Sequence, residues 1–146
     1  MIIDSNSPNN MSLLNNERKK GLLLIWFYAT WCGHCQTMEP EWEELENNHP
    51  PEVVLSKVES EEYPDYEPVS NESQPQGYPT IRLYFKNKLV REYEGERTQE
   101  GLYNFVQDYL NENPKAKMNN LMIIQGNKKN VHPPKLLNAL RGKKRK

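Results

Sequence analysis

The pattern of apolar and polar positions predicts alternating strands and helices in the first half of the chain. Residues 22–28 are apolar without polar alternation, which is typical of a strand covered on both faces in a partly parallel sheet. A helix is predicted from about residue 35 to 47, because Met38, Trp42 and Leu45 recur at helical spacing. Glutamates take the intervening positions, so this helix has one face towards the core and the others towards water.

The second half of the pattern predicts a strand, a long loop and a hairpin. Residues 53–58 have the composition of a second strand, and the Pro-rich, acidic residues 59–77 predict a loop with at most a turn of helix. Two further apolar runs, at 80–85 and 89–93, flank the short polar segment 86–88, which indicates a hairpin.

The two ends complete the predicted organisation. Thr98 is a candidate N-cap for a last helix that Pro114 ends. The apolar stripe of this helix comprises Leu102, Phe105, Val106, Tyr109 and Leu110. Residues 1–11 are expected to form a flexible leader and residues 12–20 a short helix. The predicted fold class is therefore α/β, with a mixed central sheet flanked by helices, over residues 12–114.

Charge divides the 146 residues into an acidic body and a basic extension. The formal net charge is only −1, yet residues 1–114 hold 9 Lys/Arg and 20 Asp/Glu, whereas residues 115–146 hold 10 Lys/Arg and no acid. No apolar run approaches the roughly 18 residues of a membrane span, which excludes an integral membrane protein and predicts no membrane partner.

The basic extension admits two interpretations. It is either a solubilising tail that neutralises part of its own acidic domain, or a segment that contacts nucleic acid without sequence specificity through residues 128–146. No aromatic residue interleaves its basic residues, which argues against base stacking. The chain starts without a secretory pattern and ends without an ER-retention tetrapeptide, so an intracellular, cytoplasmic location is expected, with a nuclear or virion-associated one left open.

The chain has two cysteines, and their placement favours redox chemistry. Cys32 and Cys35 lie where the first apolar strand meets the following helix, so that unpaired N–H groups at the helix N-terminus can stabilise a Cys32 thiolate. The two-residue spacing brings Cys35 back to the Cys32 sulfur, which allows a mixed disulfide to be resolved internally. A protonated His34 between them favours the reduced form and makes the disulfide more oxidising.

Two structural alternatives for the cysteine pair are weaker. A disulfide closing so short a loop constrains little of the unfolded chain. A zinc site needs two more ligands, and the sequence offers only His34, His49 and His132 without a second Cys-x-x-Cys or a His-x-His pair. No metal is therefore expected.

The sequence WCGHC at residues 31–35 resembles the active site of protein disulfide isomerase domains in the thioredoxin superfamily. The likeness extends over roughly residues 12–113. Pro40 is similar to the proline inside the family's active-site helix, and Tyr78 and Pro79, within Gly-Tyr-Pro-Thr, are similar to the family's cis-proline loop. Arg97, ahead of the last helix, is similar to an arginine that tunes the second cysteine.

This resemblance implies a thiol–disulfide oxidoreductase acting on protein thiols or disulfides. Cys32 would attack and Cys35 would resolve, with Gly33 and His34 completing the motif. The implied substrate contacts are Trp31, Tyr78 and Pro79. No cofactor beyond the dithiol is implied, and electrons would pass to or from a redox partner or glutathione.

Trp26 is the main departure from the family pattern. It stands where the family usually carries a buried acid that relays the proton of the resolving cysteine. Lys57, which in the family approaches that acid, is expected to lack this partner here and is a candidate tuning residue with Arg97. Slower release of mixed disulfides is expected. The alternative function is a redox-weak binding module that uses the fold for protein contacts and the tail for nucleic acid or acidic partners.

Overall fold

A computed structural model describes residues 1–7 and 9–117 of the chain. None of the helices in this part is long and apolar enough to cross a membrane. The elements follow in the order β1 (Ile2–Asp4), α1 (Asn10–Arg18), β2 (Leu22–Tyr28), α2 (Gly33–Asn47), β3 (Val53–Glu59), a 3-10 helix (Ser60–Asp65), β4 (Thr80–Phe85), β5 (Lys88–Glu92) and α3 (Gln99–Glu112). The nucleic-acid contact predicted for residues 128–146 lies outside the described residues.

The five strands form one mixed sheet in the order β1-β3-β2-β4-β5. β1 and β2 both run parallel to β3, while β4 is antiparallel to both β2 and β5. At the centre, Leu24 of β2 is paired with Leu55 on one side and Leu83 on the other. The predicted α/β class with a mixed central sheet is confirmed.

β2 is apolar throughout because each of its faces supports a separate core. One core lies against α2 and α3 and takes from β2 the side chains of Leu22, Leu24 and Trp26. The other lies against α1 and the segment after β3, and it takes the side chains of Leu23, Ile25 and Phe27. Successive side chains of a strand point to opposite faces, so a strand covered on both sides has no polar positions to alternate.

The prediction of a flexible leader over residues 1–11 is wrong for its first part. Residues 2–4 form β1, paired in parallel with β3, and Leu55 N donates to the carbonyl of Met1 at 3.0 Å. The Ile3 side chain is fully buried in the second core. A single buried side chain in a three-residue strand leaves too short a pattern to be recognised in the sequence.

One buried carboxylate is a main attachment of the acidic segment between β3 and β4 to the sheet. The side chain of Glu72 is fully buried and forms an ion pair with Arg82 at 3.1 Å. Its oxygens also accept hydrogen bonds from the hydroxyls of Tyr66 and Tyr84, both at 2.7 Å, and from Val69 N at 2.8 Å. The Glu72 carboxylate thus interacts with four donors, two of which are side chains of β4, and these contacts fix the segment against that strand.

The last helix packs as its pattern predicts, but the domain continues past Pro114. Thr98 caps α3, its hydroxyl accepting from Gly101 N at 3.0 Å. Residues 114–117 are again helical, and the Ala116 side chain is fully buried in the core with α3. The predicted boundary at 115 therefore lies inside the packed domain, because a small apolar residue within the basic segment finds space against the core.

Candidate active site

Cys32 lies at the N-terminus of α2, which begins at Gly33, two residues before the predicted start. Its sulfur accepts a hydrogen bond from Cys35 N at 3.2 Å, and so acts as the N-cap of the helix. The Cys32 thiol also donates to the carbonyl oxygen of Tyr78 at 3.4 Å. The sulfur thus lies where a backbone donor and the helix dipole both favour its anionic form.

Cys35 lies one turn further into the helix and is more deeply buried. Its exposed fraction is 2%, against 8% for Cys32, and both thiols are free. Burial and then the interaction with Cys32 together raise the pKa of Cys35 to about 12, while the Ala29 backbone and Arg97 act in the opposite direction. Cys35 therefore keeps its proton at neutral pH, while the less buried Cys32 is available to attack a disulfide.

An aromatic surface lies beside Cys32. The Tyr78–Pro79 peptide bond is cis, and the Tyr78 carbonyl faces the cysteine. The ring of Trp31, the residue before Cys32, meets the Tyr78 ring edge-on at 5.9 Å between centroids. Trp31 is 71% exposed, a large apolar area left open to solvent. The three predicted substrate-binding residues are thus brought to one side of the nucleophile.

Gly33 and His34 occupy the first turn of α2, and both are exposed. A Cβ added at Gly33 would meet no atom within 4 Å, so no close contact requires glycine at this position. The carbonyl oxygen of Gly33 accepts from the Thr37 hydroxyl at 3.1 Å. His34 is therefore presented to solvent and substrate at the positive end of the helix.

Trp26 fills the centre of the core beneath the cysteines. Its ring lies 4.9 Å from that of Tyr28 and 5.3 Å from that of Trp42, centroid to centroid. Lys57, its neighbour across the β2–β3 pair, places Nζ 5.9 Å from the Trp26 ring centroid. The lysine ammonium thus lies over the aromatic face of the indole.

Position 26 holds tryptophan, so Lys57 lacks the acid that the resemblance places there, but two other carboxylates lie near it. Its Nζ lies 3.9 Å from Asp4 Oδ2 and 3.9 Å from Glu39 Oε2. Asp4 lies on β1, which the sequence did not predict, and the pairing of β1 with β3 brings it beside Lys57. Glu39 lies on α2 four residues after Cys35. Because residues four apart lie on the same face of a helix, the sequence already indicated that Glu39 is close to Cys35.

Comparison with known proteins agrees with this geometry. A family model described as thioredoxin matches residues 4–108. A protein disulfide-isomerase of Medicago sativa is 34% identical over 103 residues, which are 67% of this chain and 20% of that protein. A disulfide isomerase-like protein of Arabidopsis thaliana is 39% identical over 94 residues, which are 60% of this chain and 18% of that protein. The chain thus spans about a fifth of these relatives.

Solved structures agree at the level of the fold. The solution structure of oxidised thioredoxin from Plasmodium falciparum superposes with a TM-score of 0.55 at 20% identity, covering 75% of this chain and 98% of that one. A likeness at this level of identity shows that the two chains share a fold. With a family model over residues 4–108 and the cysteine pair at the start of α2, the chain belongs to the thioredoxin family.

Proposed function

We propose that the protein is a thiol–disulfide oxidoreductase that acts on protein substrates through Cys32 and Cys35. The observation that carries the proposal is the Cys32 sulfur at the N-cap of α2, accepting from Cys35 N at 3.2 Å beside the Tyr78 carbonyl. This is the position in which a thiolate is stabilised and a substrate strand can approach it.

The two cysteines take different roles in this reaction. Cys32 attacks a substrate disulfide and forms a mixed disulfide, and the Cys35 thiolate then attacks the Cys32 sulfur and releases the substrate as a thiol. The pair ends as a disulfide, having given two electrons to the substrate, and the reverse sequence introduces a disulfide. Burial of Cys35 supports this assignment, since its exposed fraction of 2% leaves a protein disulfide little access to its sulfur.

The isomerase-like character is the finer part of the proposal. It is supported by the CGHC sequence, by the exposed His34 at the positive end of α2, and by relatives named protein disulfide-isomerase. A cationic imidazole next to a thiolate stabilises the reduced pair and raises its reduction potential. The same observations favour exchange over the binding-module alternative, which has no need of a thiol at a helix N-cap.

The test is the reduction potential of the cysteine pair in glutathione buffers, with insulin reduction followed in parallel. We expect a value near −180 mV, as for disulfide isomerases, rather than near −270 mV, as for thioredoxin. The variant with both Cys32→Ser and Cys35→Ser should have no activity. A protein that exchanges no thiols with glutathione or insulin would contradict the proposal.

A further inference from the structure

A cavity of about 360 Å³ opens beside the active site, with Cys35 on its wall and neither Trp31 nor Tyr78 among its lining residues. Its volume is enough for several water molecules, each of which occupies about 30 Å³ in the liquid. Elements from four parts of the chain meet there, and the titratable groups on its wall belong to Asp4, Tyr28, Cys35, Glu39 and Lys57.

The reaction proposed above requires a base at this place. Cys35 must lose its proton before it attacks the mixed disulfide, yet burial and Cys32 raise the pKa of its thiol to about 12. Arg97 favours the thiolate but cannot accept a proton. The Tyr28 hydroxyl is also protonated at neutral pH, since burial and then Asp4 raise its pKa to about 12. The carboxylates on the cavity wall are the remaining acceptors among the described residues around it.

Of these carboxylates, that of Glu39 has the better placement. Glu39 follows Cys35 by four residues on α2, so the two side chains share one face of the helix. Lys57 Nζ lies 3.9 Å from either carboxylate, so its distance does not separate them; that of Glu39 is 51% exposed and so exchanges protons with solvent. Asp4 lies on the outermost strand, and its Oδ1 already accepts from Asn6 N at 3.0 Å.

Trp26 lines the same cavity, but its indole nitrogen is not open to water there. Trp26 is 1% exposed, and its Nε1 is buried without a hydrogen-bond partner within residues 1–7 and 9–117. An indole N–H is a donor only, so it cannot accept a proton. Trp26 therefore does not compete with the cavity carboxylates for the proton of Cys35.

We propose that Glu39 accepts the proton of Cys35 through water in this cavity, with Lys57 positioning the Glu39 carboxylate. The inference rests on the proposed function. In the step, the Cys35 S–H bond breaks and the proton passes by water to Glu39. The Cys35 thiolate then forms a bond to the Cys32 sulfur, the Cys32–substrate S–S bond breaks, and the substrate leaves as a thiolate that takes a proton from solvent.

The test separates formation of the mixed disulfide from its resolution. Reduced protein is mixed with excess oxidised glutathione between pH 6 and pH 9, quenched with acid, and analysed by mass for the glutathione adduct and for the internal disulfide. For Glu39→Gln we expect adduct formation at the wild-type rate and resolution about tenfold slower at pH 7, with the deficit shrinking towards pH 9 as hydroxide replaces the carboxylate. The matched control, Glu44→Gln, removes the same charge from an exposed position of α2 away from the cavity and should match the wild type.

Several outcomes would overturn the inference. Wild-type resolution in Glu39→Gln, an equal deficit in Glu44→Gln, or a deficit that is the same at every pH would each exclude Glu39 as the proton acceptor. So would a deficit in Asp4→Asn without one in Glu39→Gln, since it assigns the proton to the other carboxylate. A wild-type protein that forms no adduct at all would instead refute the proposed function, and this inference with it.

Discussion

Trp31 and Tyr78 meet edge-on, 5.9 Å apart between ring centroids, although one precedes the nucleophile and the other comes from the loop before β4. Because Trp31 remains 71% exposed, this contact leaves most of the indole for a partner. An apolar surface this close to a reactive sulfur suits the side chains that flank a cysteine in an unfolded or partly folded protein.

Replacing this indole should therefore weaken the binding of protein substrates. For Trp31→Ala we expect KM for insulin, whose disulfides the reduced protein attacks, to rise roughly fivefold, the equivalent of about 1 kcal/mol for a lost aromatic contact. The rate with a small disulfide such as oxidised glutathione should be nearly unchanged. Leu13→Ala, an exposed apolar position on α1, is the control. An equal loss with both substrates would mean that Trp31 acts on the cysteines instead.

The difference in burial between the cysteines predicts selective alkylation. Iodoacetamide at pH 8 should modify the reduced native protein once, at Cys32, because the raised pKa of Cys35 keeps its thiol protonated. Cys35 should react after denaturation. Peptide mass mapping locates the label, and Cys32→Ser should leave the native protein almost unlabelled. Rapid double labelling of the native wild type would show that Cys35 is more accessible than its 2% exposure indicates.

Alkaline pH should destabilise the fold. Burial raises the pKa of Cys35 from 9.0 to about 12 and that of Tyr28 from 10.0 to about 12, and it also raises the pKa of Tyr66 and Tyr84. At a pH between the ordinary pKa of such a group and its raised pKa in the native protein, the unfolded chain has released a proton that the native protein still holds. Stability should thus fall as the pH rises from about 9 to about 12.

Urea denaturation at several pH values measures this fall, and Tyr28→Phe should make it shallower because one of the titrating groups is removed. The same steep fall in Tyr28→Phe would assign the effect to the other groups. A free energy of unfolding that does not change between pH 8 and pH 12 would contradict the pKa shifts altogether.

The buried carboxylate of Glu72 should be important for stability. Glu72→Ala leaves the Arg82 guanidinium without its buried partner and two tyrosine hydroxyls without their acceptor, so we expect a loss of about 3 kcal/mol in the free energy of unfolding. Glu67→Ala, at an exposed position of the same segment, should change it by less than about 0.5 kcal/mol. Urea denaturation measures both losses. Equal losses for the two substitutions would show that the buried contacts of Glu72 add nothing to the stability of the fold.

The sequence was sufficient for the central fold because its signals there are local. Residues 22–28 form β2 as their unbroken apolar run predicts, and the cysteines fall at the start of the next helix. Thr98 caps α3 through a contact within one turn of chain. Each of these features depends on neighbours within a few residues, which is the range over which a single sequence is informative.

The features that were missed depend on distant partners. β1 gains its stability from pairing with β3, more than fifty residues away, and Ala116 from a space in a core that other elements build. The two acids near Lys57 differ in this respect. Asp4 reaches the lysine only because β1 pairs with β3, whereas Glu39 follows Cys35 at helical spacing, which the sequence shows. The sequence shows Trp26 as a departure from the family pattern, but only the packed structure shows that its indole nitrogen has no hydrogen-bond partner within residues 1–7 and 9–117.

The short strand β1 also has a consequence for how copies of this protein behave towards each other. β3 is seven residues long and rich in valine, and at an open edge it would be a template for the strand of another molecule. Bonds from Leu55 N to the Met1 carbonyl and from Ser5 N to the Lys57 carbonyl occupy that edge instead. On this side of the sheet the edge strand is therefore β1, which is only three residues long, and short edge strands are poor templates for pairing with another chain. Residues 1–5 thus cover the valine-rich strand β3 against pairing with a strand of another molecule.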